Sequence, residues 1–212
     1  RSEYTIVRKS ENEFYLISAG ALTDYDKDYL IKKAQDKEKE FGYIEIQDVT
    51  SQFGTFAIAG PKSKELLISL TNSQNPEQLF SNENFPWLSS KEIEINMIPT
   101  LAIRVAYTGE LGWELHYPVE FQNKLLDLLL LSGKNFDLKL VGARAQNWLR
   151  QEKSYRAFGN ELGRDACLIE AGLEKFINFN KEFLGKDALQ KRNVKSKCCL
   201  LYTSDAADEQ DR

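Results

Sequence analysis

The chain has 212 residues, enough for one or two domains with a sizeable core. Its 42% hydrophobic and 28% charged residues are ordinary for a globular protein, and a net charge of -4 excludes any general attraction for nucleic acid or an anionic membrane surface. The longest apolar run, Leu128 to Leu131 behind Leu125 and Leu126, falls far short of the ~20 residues of a membrane span, while three cysteines (Cys167, Cys198, Cys199) and one histidine exclude a disulfide framework and a zinc site and point to a reducing compartment.

The chain opens at Arg1 without a methionine, on residues that read as strand, so its natural amino terminus is expected upstream. Tyr4 to Arg8 and Glu13 to Ser18 alternate apolar and polar residues around the turn Lys9-Ser10-Glu11-Asn12, predicting a hairpin that Glu3 enters. Asp24 to Glu40 is charged, with lysines gathering late and Tyr25, Tyr29 and Leu30 near helical spacing, which predicts a solvated helix with one buried stripe. Tyr43 to Val49 and Thr55 to Ala59 read as strands, and Gly60-Pro61 opens a helix to about Leu70. Thr71 to Asn84, rich in Asn, Ser and Gln, reads as a loop.

Ile93 to Ile95 and Leu101 to Tyr107 flank a turn at Met97-Ile98-Pro99, and Trp113 to Tyr117 continues as a third strand of a meander. Pro118 precedes a helix to Leu131, a second helix covers about Gly142 to Arg156, and a short one begins near Gly185. The class is α+β, without internal repeat. The tail from Cys199 to Glu209 breaks the pattern and resembles a translated sequencing-adapter read-through, so residues 198–212 are set apart as non-native and are expected to contribute nothing to the fold.

Two segments could carry chemistry. In Leu111 to Tyr117, a strand would put Leu111, Trp113, Leu115 and Tyr117 on one side and Gly112, Glu114 and His116 on the other. Glu114 then sits on a glycine-opened face where a flat ligand could approach, and its carboxylate could accept two parallel hydrogen bonds from an amino-pyrimidine edge. Spacing alone does not decide for it over a solvent-facing glutamate on an amphipathic hairpin, which is the commoner meaning of such a pattern. In the second segment, Trp148, Gln151, Glu152 and Tyr155 share a helical face before Gly159 turns the chain, which fits a ligand wall or plain core. His116, with no acid or nucleophile pattern around it, reads as structural.

Three separated stretches, Tyr107-Thr108-Gly109-Glu110-Leu111-Gly112-Trp113-Glu114-Leu115, Glu152 to Gly159 and Leu168-Ile169-Glu170-Ala171-Gly172-Leu173, resemble in one collinear order the glycine-cleavage T-protein (aminomethyltransferase) family. The Glu-Leu-Gly-Trp-Glu version and Phe85-Pro86-Trp87-Leu88 are most similar to the domain behind the flavin domain of dimethylglycine and sarcosine dehydrogenases. The resemblance, over roughly 1–194, implies a partial aminomethyltransferase folate-binding fold, with antiparallel sheets, packed helices and a ferredoxin-like subdomain. It spans 1–197 as two discontinuous subdomains, roughly 1–41 plus 142–190, and 42–141.

By position, the resemblance implies that Tyr107 lines a tetrahydrofolate site, Glu114 grips the pterin and Tyr155 forms a pocket wall. Glu3 matches the acidic residue, usually aspartate, beside the reactive folate nitrogens. Gln146 stands where T-proteins commonly place a folate-holding arginine that the flavoprotein branch tends to lack. The implied function is one-carbon acceptance as 5,10-methylenetetrahydrofolate within an FAD-dependent oxidoreductase acting on a small N-methyl amine. Its FAD belongs to a missing amino-terminal domain, the chain alone would be inactive, and the location would be the bacterial cytoplasm or the mitochondrial matrix. The alternatives are a stand-alone aminomethyltransferase of the glycine cleavage system and a non-catalytic regulatory paralogue.

Overall fold

The computed structural model describes residues 2–163, 166–192 and 194; the proposed foreign tail at 198–212 lies outside the described residues. The chain begins with an antiparallel hairpin, β1 (Thr5–Arg8) and β2 (Phe14–Ile17), paired from Thr5↔Ile17 to Arg8↔Phe14. It continues into α1 (Thr23–Phe41), where Asp24 and Asp26 occupy the positive first turn, Lys39 occupies the last and Gly42 at φ 79° ends the helix. The expected buried stripe is there but is differently composed: Tyr25 and Tyr29 are exposed, and the fully buried residue of α1 is Asp26. Thr23, Leu30, Ile31 and Ala34 share its side of the helix at spacings of three and four, so the inward stripe lies one residue away from the tyrosines.

Residues 43–49 form no strand. Alternation gives a segment one apolar edge, but a strand also needs a partner ladder, and among the described residues β3 (Phe53–Ala59) pairs with β6 (Gly112–Pro118) alone. Ile44 and Ile46 instead line a cavity of about 240 Å³ against Ile31 and Ala34 of α1.

The core belongs to a four-stranded antiparallel sheet in the order β3-β6-β5-β4, completed by β4 (Ser90–Ile95) and β5 (Ile98–Ile103). Helices α2 (Ser63–Leu70) and α4 (Gln122–Gly133) cover one face. Leu66, Leu67, Leu125 and Leu129 from the helices meet Ile58, Ile93, Ile95, Trp113, Leu115 and Tyr117 from the strands. Each such fully buried large side chain contributes roughly 1.5–3 kcal/mol. The α+β expectation and the antiparallel sheet with packed helices therefore hold. A ferredoxin-like subdomain runs β-α-β-β-α-β, whereas three consecutive strands here precede α4.

The predicted loop at 71–84 contains a helical turn, α3 (Pro76–Leu79), and delivers Phe80 into the core, edge-on to Trp113 at 5.6 Å. The turn between β4 and β5 is Asn96-Met97, both at positive φ (46° and 64°), closed by the pair Ile95↔Ile98, so Ile98 and Pro99 belong to the strand. Pro99 is tolerated because the hairpin register turns its nitrogen away from β4, and pairing with β6 starts only at Leu101. Strand β5 ends at Ile103 rather than Tyr107. There the Arg104 N–H bonds the Ser89 carbonyl (2.9 Å), and residues 104–111 peel over the sheet. Two further helices, α5 (Ala143–Glu152) and α6 (Lys186–Lys191), complete the described fold.

Candidate functional site

Strand β6 has the facing its alternation predicts. Trp113, Leu115 and Tyr117 are fully buried in the core, and Gly112, Glu114 and His116 point to the opposite face. The role expected of the glycine changes. A Cβ at Gly112 would lie 2.5 Å from the Ile58 carbonyl oxygen and 2.9 Å from the Ala106 Cβ, so the space above it is filled by the returning 104–111 segment. The accessible part of this face is one step further along, at Glu114, flanked by Ala57 on β3 and Ile103 on β5. Glu114 retains 29% side-chain exposure, and its nearest charged or titratable neighbour is His116 Nε2, 3.6 Å from Oε2. Its oxygens thus remain available to donors from outside the protein.

Tyr155 does not ride on a helix with Trp148 as expected. Helix α5 ends at Glu152, and Ser154 at φ 57° turns the chain away. The cause is Arg150, only 1% exposed. Its guanidinium donates to both oxygens of Glu161 (2.9 and 3.3 Å), to the Tyr155 carbonyl (2.8 Å) and to Asn147 Oδ1 (2.8 Å). Glu161 also accepts from the Ala157 N–H (2.8 Å), and Gly159 at φ 89° closes the loop between them. Burial pushes the Glu161 carboxyl upward, but the Ala157 amide and Arg150 outweigh it and hold the group below the ordinary range. This fork folds residues 150–162 around one buried cation and turns the half-exposed Tyr155 ring into a cavity of about 200 Å³ shared with Trp87, Arg104 and Leu111.

Tyr107 sits on the peeled segment with its ring half exposed. Burial raises its phenol above the ordinary value, with Arg150 pulling it down and the charges of Glu161 and Glu3 adding to the rise. Glu3 itself is exposed. Its neighbour Ser2 donates to Asp26 Oδ2 (2.8 Å), tying the entry strand to α1. Half-buried in the same region, the Tyr4 phenol is pushed up to about 12, first by burial and then by Asp26.

The four expected site residues therefore stand apart, Glu3 before the hairpin, Tyr107 on the peeled segment, Tyr155 in its cavity and Glu114 on the sheet, with no hydrogen bond joining them among the described residues. Sequence reasoning missed the Arg150–Glu161 fork. Its available signal was an arginine near the end of a helix facing a glutamate across the Gly159-Asn160 turn. His116, read from the sequence as structural, lies buried beside Glu114. Among the described residues no group of three His, Cys, Asp or Glu side chains could hold a metal ion, and no helix is long and apolar enough to cross a membrane.

Residues 1–181 match the family described as GCVT N-terminal domain. The chain is 34% identical to human mitochondrial dimethylglycine dehydrogenase over 214 residues, covering 98% of this chain and 24% of that protein. It is 36% identical to the aminomethyltransferase of Caldanaerobacter subterraneus subsp. tengcongensis over 188 residues, covering 88% of this chain and 48% of that one. It thus spans about a quarter to a half of the length of the curated relatives it matches. A chain of heterotetrameric sarcosine oxidase from Corynebacterium sp. U-96 overlays with a TM-score of 0.47 at 18% identity, covering 66% of this chain and 64% of the other. With a single family matched along most of its length, the chain belongs to the GCVT N-terminal domain family.

Proposed function

We propose that this chain is the tetrahydrofolate-binding, one-carbon-accepting part of an FAD-dependent N-demethylating enzyme of the dimethylglycine or sarcosine type, working in the bacterial cytoplasm or the mitochondrial matrix. The observation that carries the reading is Glu114: an accessible carboxylate on a rigid central strand, flanked by Ala57, with its oxygens unclaimed by protein donors at hydrogen-bonding distance. Such a group suits the paired N–H donors of an amino-pyrimidine ring, because two parallel charge-assisted bonds fix both position and orientation. The small Ala57 leaves room for a flat ring beside it. Tyr107 and Tyr155, both half exposed, supply aromatic surface for the remainder of the ligand.

When bound, tetrahydrofolate supplies the nucleophilic nitrogens that accept the one-carbon unit and leaves as 5,10-methylenetetrahydrofolate. The chain's own residues hold and orient it, and Glu3 stabilises positive charge or relays a proton beside those nitrogens. Oxidation of the amine by FAD belongs to polypeptide outside this chain. The flavoprotein reading is favoured over a stand-alone aminomethyltransferase by Gln146, which stands where the transferases commonly place a folate-holding arginine, and by the Glu110-Leu111-Gly112-Trp113-Glu114 version of the motif. Upstream sequence separates the two: a strand followed by Gly-x-Gly-x-x-Gly supports the flavoprotein, and a short extension to a methionine supports the transferase. For folate binding itself, anaerobic calorimetry should show saturable one-to-one binding of tetrahydrofolate to the chain. Absence of binding to folded protein would overturn the reading.

A further inference from the structure

We propose that His116 is a positioning residue for Glu114: it donates an Nε2–H hydrogen bond that orients the carboxylate toward the folate ring. This inference rests on the folate reading above and deepens it. His116 is 3% exposed, and its two ring nitrogens are in different surroundings. Nδ1 lies 3.2 Å from Thr55 Oγ1 and 3.4 Å from the Tyr15 hydroxyl, both able to donate. Nε2 has no hydrogen-bond partner, although buried, and faces Glu114 Oε2 at 3.6 Å. A buried N–H without an acceptor is costly, and a nitrogen that accepts cannot carry the proton. The hydroxyls at Nδ1 can serve either tautomer, so the choice falls to Glu114: a carboxylate facing Nε2 accepts a proton there and repels a lone pair, which favours the tautomer with hydrogen on Nε2.

The ring is itself held. Tyr15 from β2 packs edge-on against it at 5.6 Å and 83°, and Phe53 packs edge-on against Tyr15 at 6.0 Å. The imidazole can therefore not swing away, and a shift of a few tenths of an ångström in the Glu114 side chain brings the pair to hydrogen-bond length. In that position one Glu114 oxygen is fixed from below by His116, and the carboxylate plane is set for two donors from above. The same contacts tie the amino-terminal hairpin, which carries Glu3 at its entry, to the strand that carries Glu114.

His116 is the only histidine in the chain, so its imidazole nitrogens are read by nitrogen NMR without assignment ambiguity. The wild-type chain should show the Nε2–H tautomer, with the Nε2 signal shifting when tetrahydrofolate is added. In calorimetry, His116→Phe keeps the aromatic contact with Tyr15 and removes the donor, and it should weaken tetrahydrofolate about 5- to 20-fold, between an ordinary net hydrogen bond and the low end of one to a charged acceptor. His116→Gln, whose amide nitrogen reaches the Nε2 position, should stay within about 3-fold of wild type. In a Glu114→Ala background, His116→Phe should cost less than about 2-fold more, because no side-chain acceptor remains at that position. An Nδ1–H tautomer, which needs no variant to detect, overturns the proposal, as does an equal loss in both backgrounds. If Glu114→Gln alone leaves folate binding unchanged, the folate reading fails, while the tautomer still reports on the histidine–glutamate contact.

Discussion

Removing the Glu161 carboxylate leaves the Arg150 guanidinium buried and short of its counter-charge. Breaking a buried ion pair from one side costs about 3–5 kcal/mol. Glu161→Ala should fall near the low end of that range, because Arg150 keeps the Tyr155 carbonyl and Asn147 Oδ1, while the Ala157 N–H loses its acceptor. A loss of about 3 kcal/mol lowers the melting temperature by roughly 6–12 °C for a chain of this size. The pH dependence follows from the depressed Glu161 carboxyl. A group whose folded value lies below its unfolded one stabilises the fold above the unfolded value, here the ordinary 4.5, and that contribution is lost as pH falls through the folded value. Wild type should therefore lose stability on acidification below about 4.5, and Glu161→Gln should lack that part of the loss. Circular-dichroism melts between pH 3 and 8 measure both. A Glu161→Ala melt within about 2 °C of wild type at neutral pH would refute the claim that this pair holds residues 150–162.

Gly112→Ala should destabilise by about 1–3 kcal/mol, since its Cβ would meet backbone at 2.5 Å as well as Ala106; a denaturant midpoint equal to wild type would show that the 104–111 segment yields freely. Met97→Gly should do the opposite. Met97 is exposed at φ 64° in the two-residue turn, so glycine relieves about 1 kcal/mol of left-handed strain, visible as a higher denaturant midpoint.

What the sequence discloses and what it conceals follow one physical division. Alternation along Trp113 to Tyr117 reveals both the strand and its buried face, since a half-covered sheet leaves no other periodicity. The same alternation at 43–49 misleads, because pairing depends on a distant edge that no local pattern encodes. The helix end at Glu152 escapes detection because no proline or glycine ends it; a tertiary contact from Arg150 to Glu161 does. Gly112 is readable as a place of close approach, but whether ligand or chain approaches is decided by the path of 104–111. Glu114 stands out only through family resemblance, since an accessible glutamate on a strand is ordinary, and its buried neighbour His116 emerges only from the coordinates of β2, β3 and β6 together.

The central claim, that Glu114 grips a folate ring, is tested most directly by the tetrahydrofolate affinity of Glu114→Gln measured beside wild type by anaerobic calorimetry. Replacing one charged acceptor by an amide removes charge assistance and sets a donor against a donor, so affinity should fall by roughly 2–3 kcal/mol, about 30- to 150-fold. A folded Glu114→Gln chain that binds tetrahydrofolate as tightly as wild type would contradict the assignment.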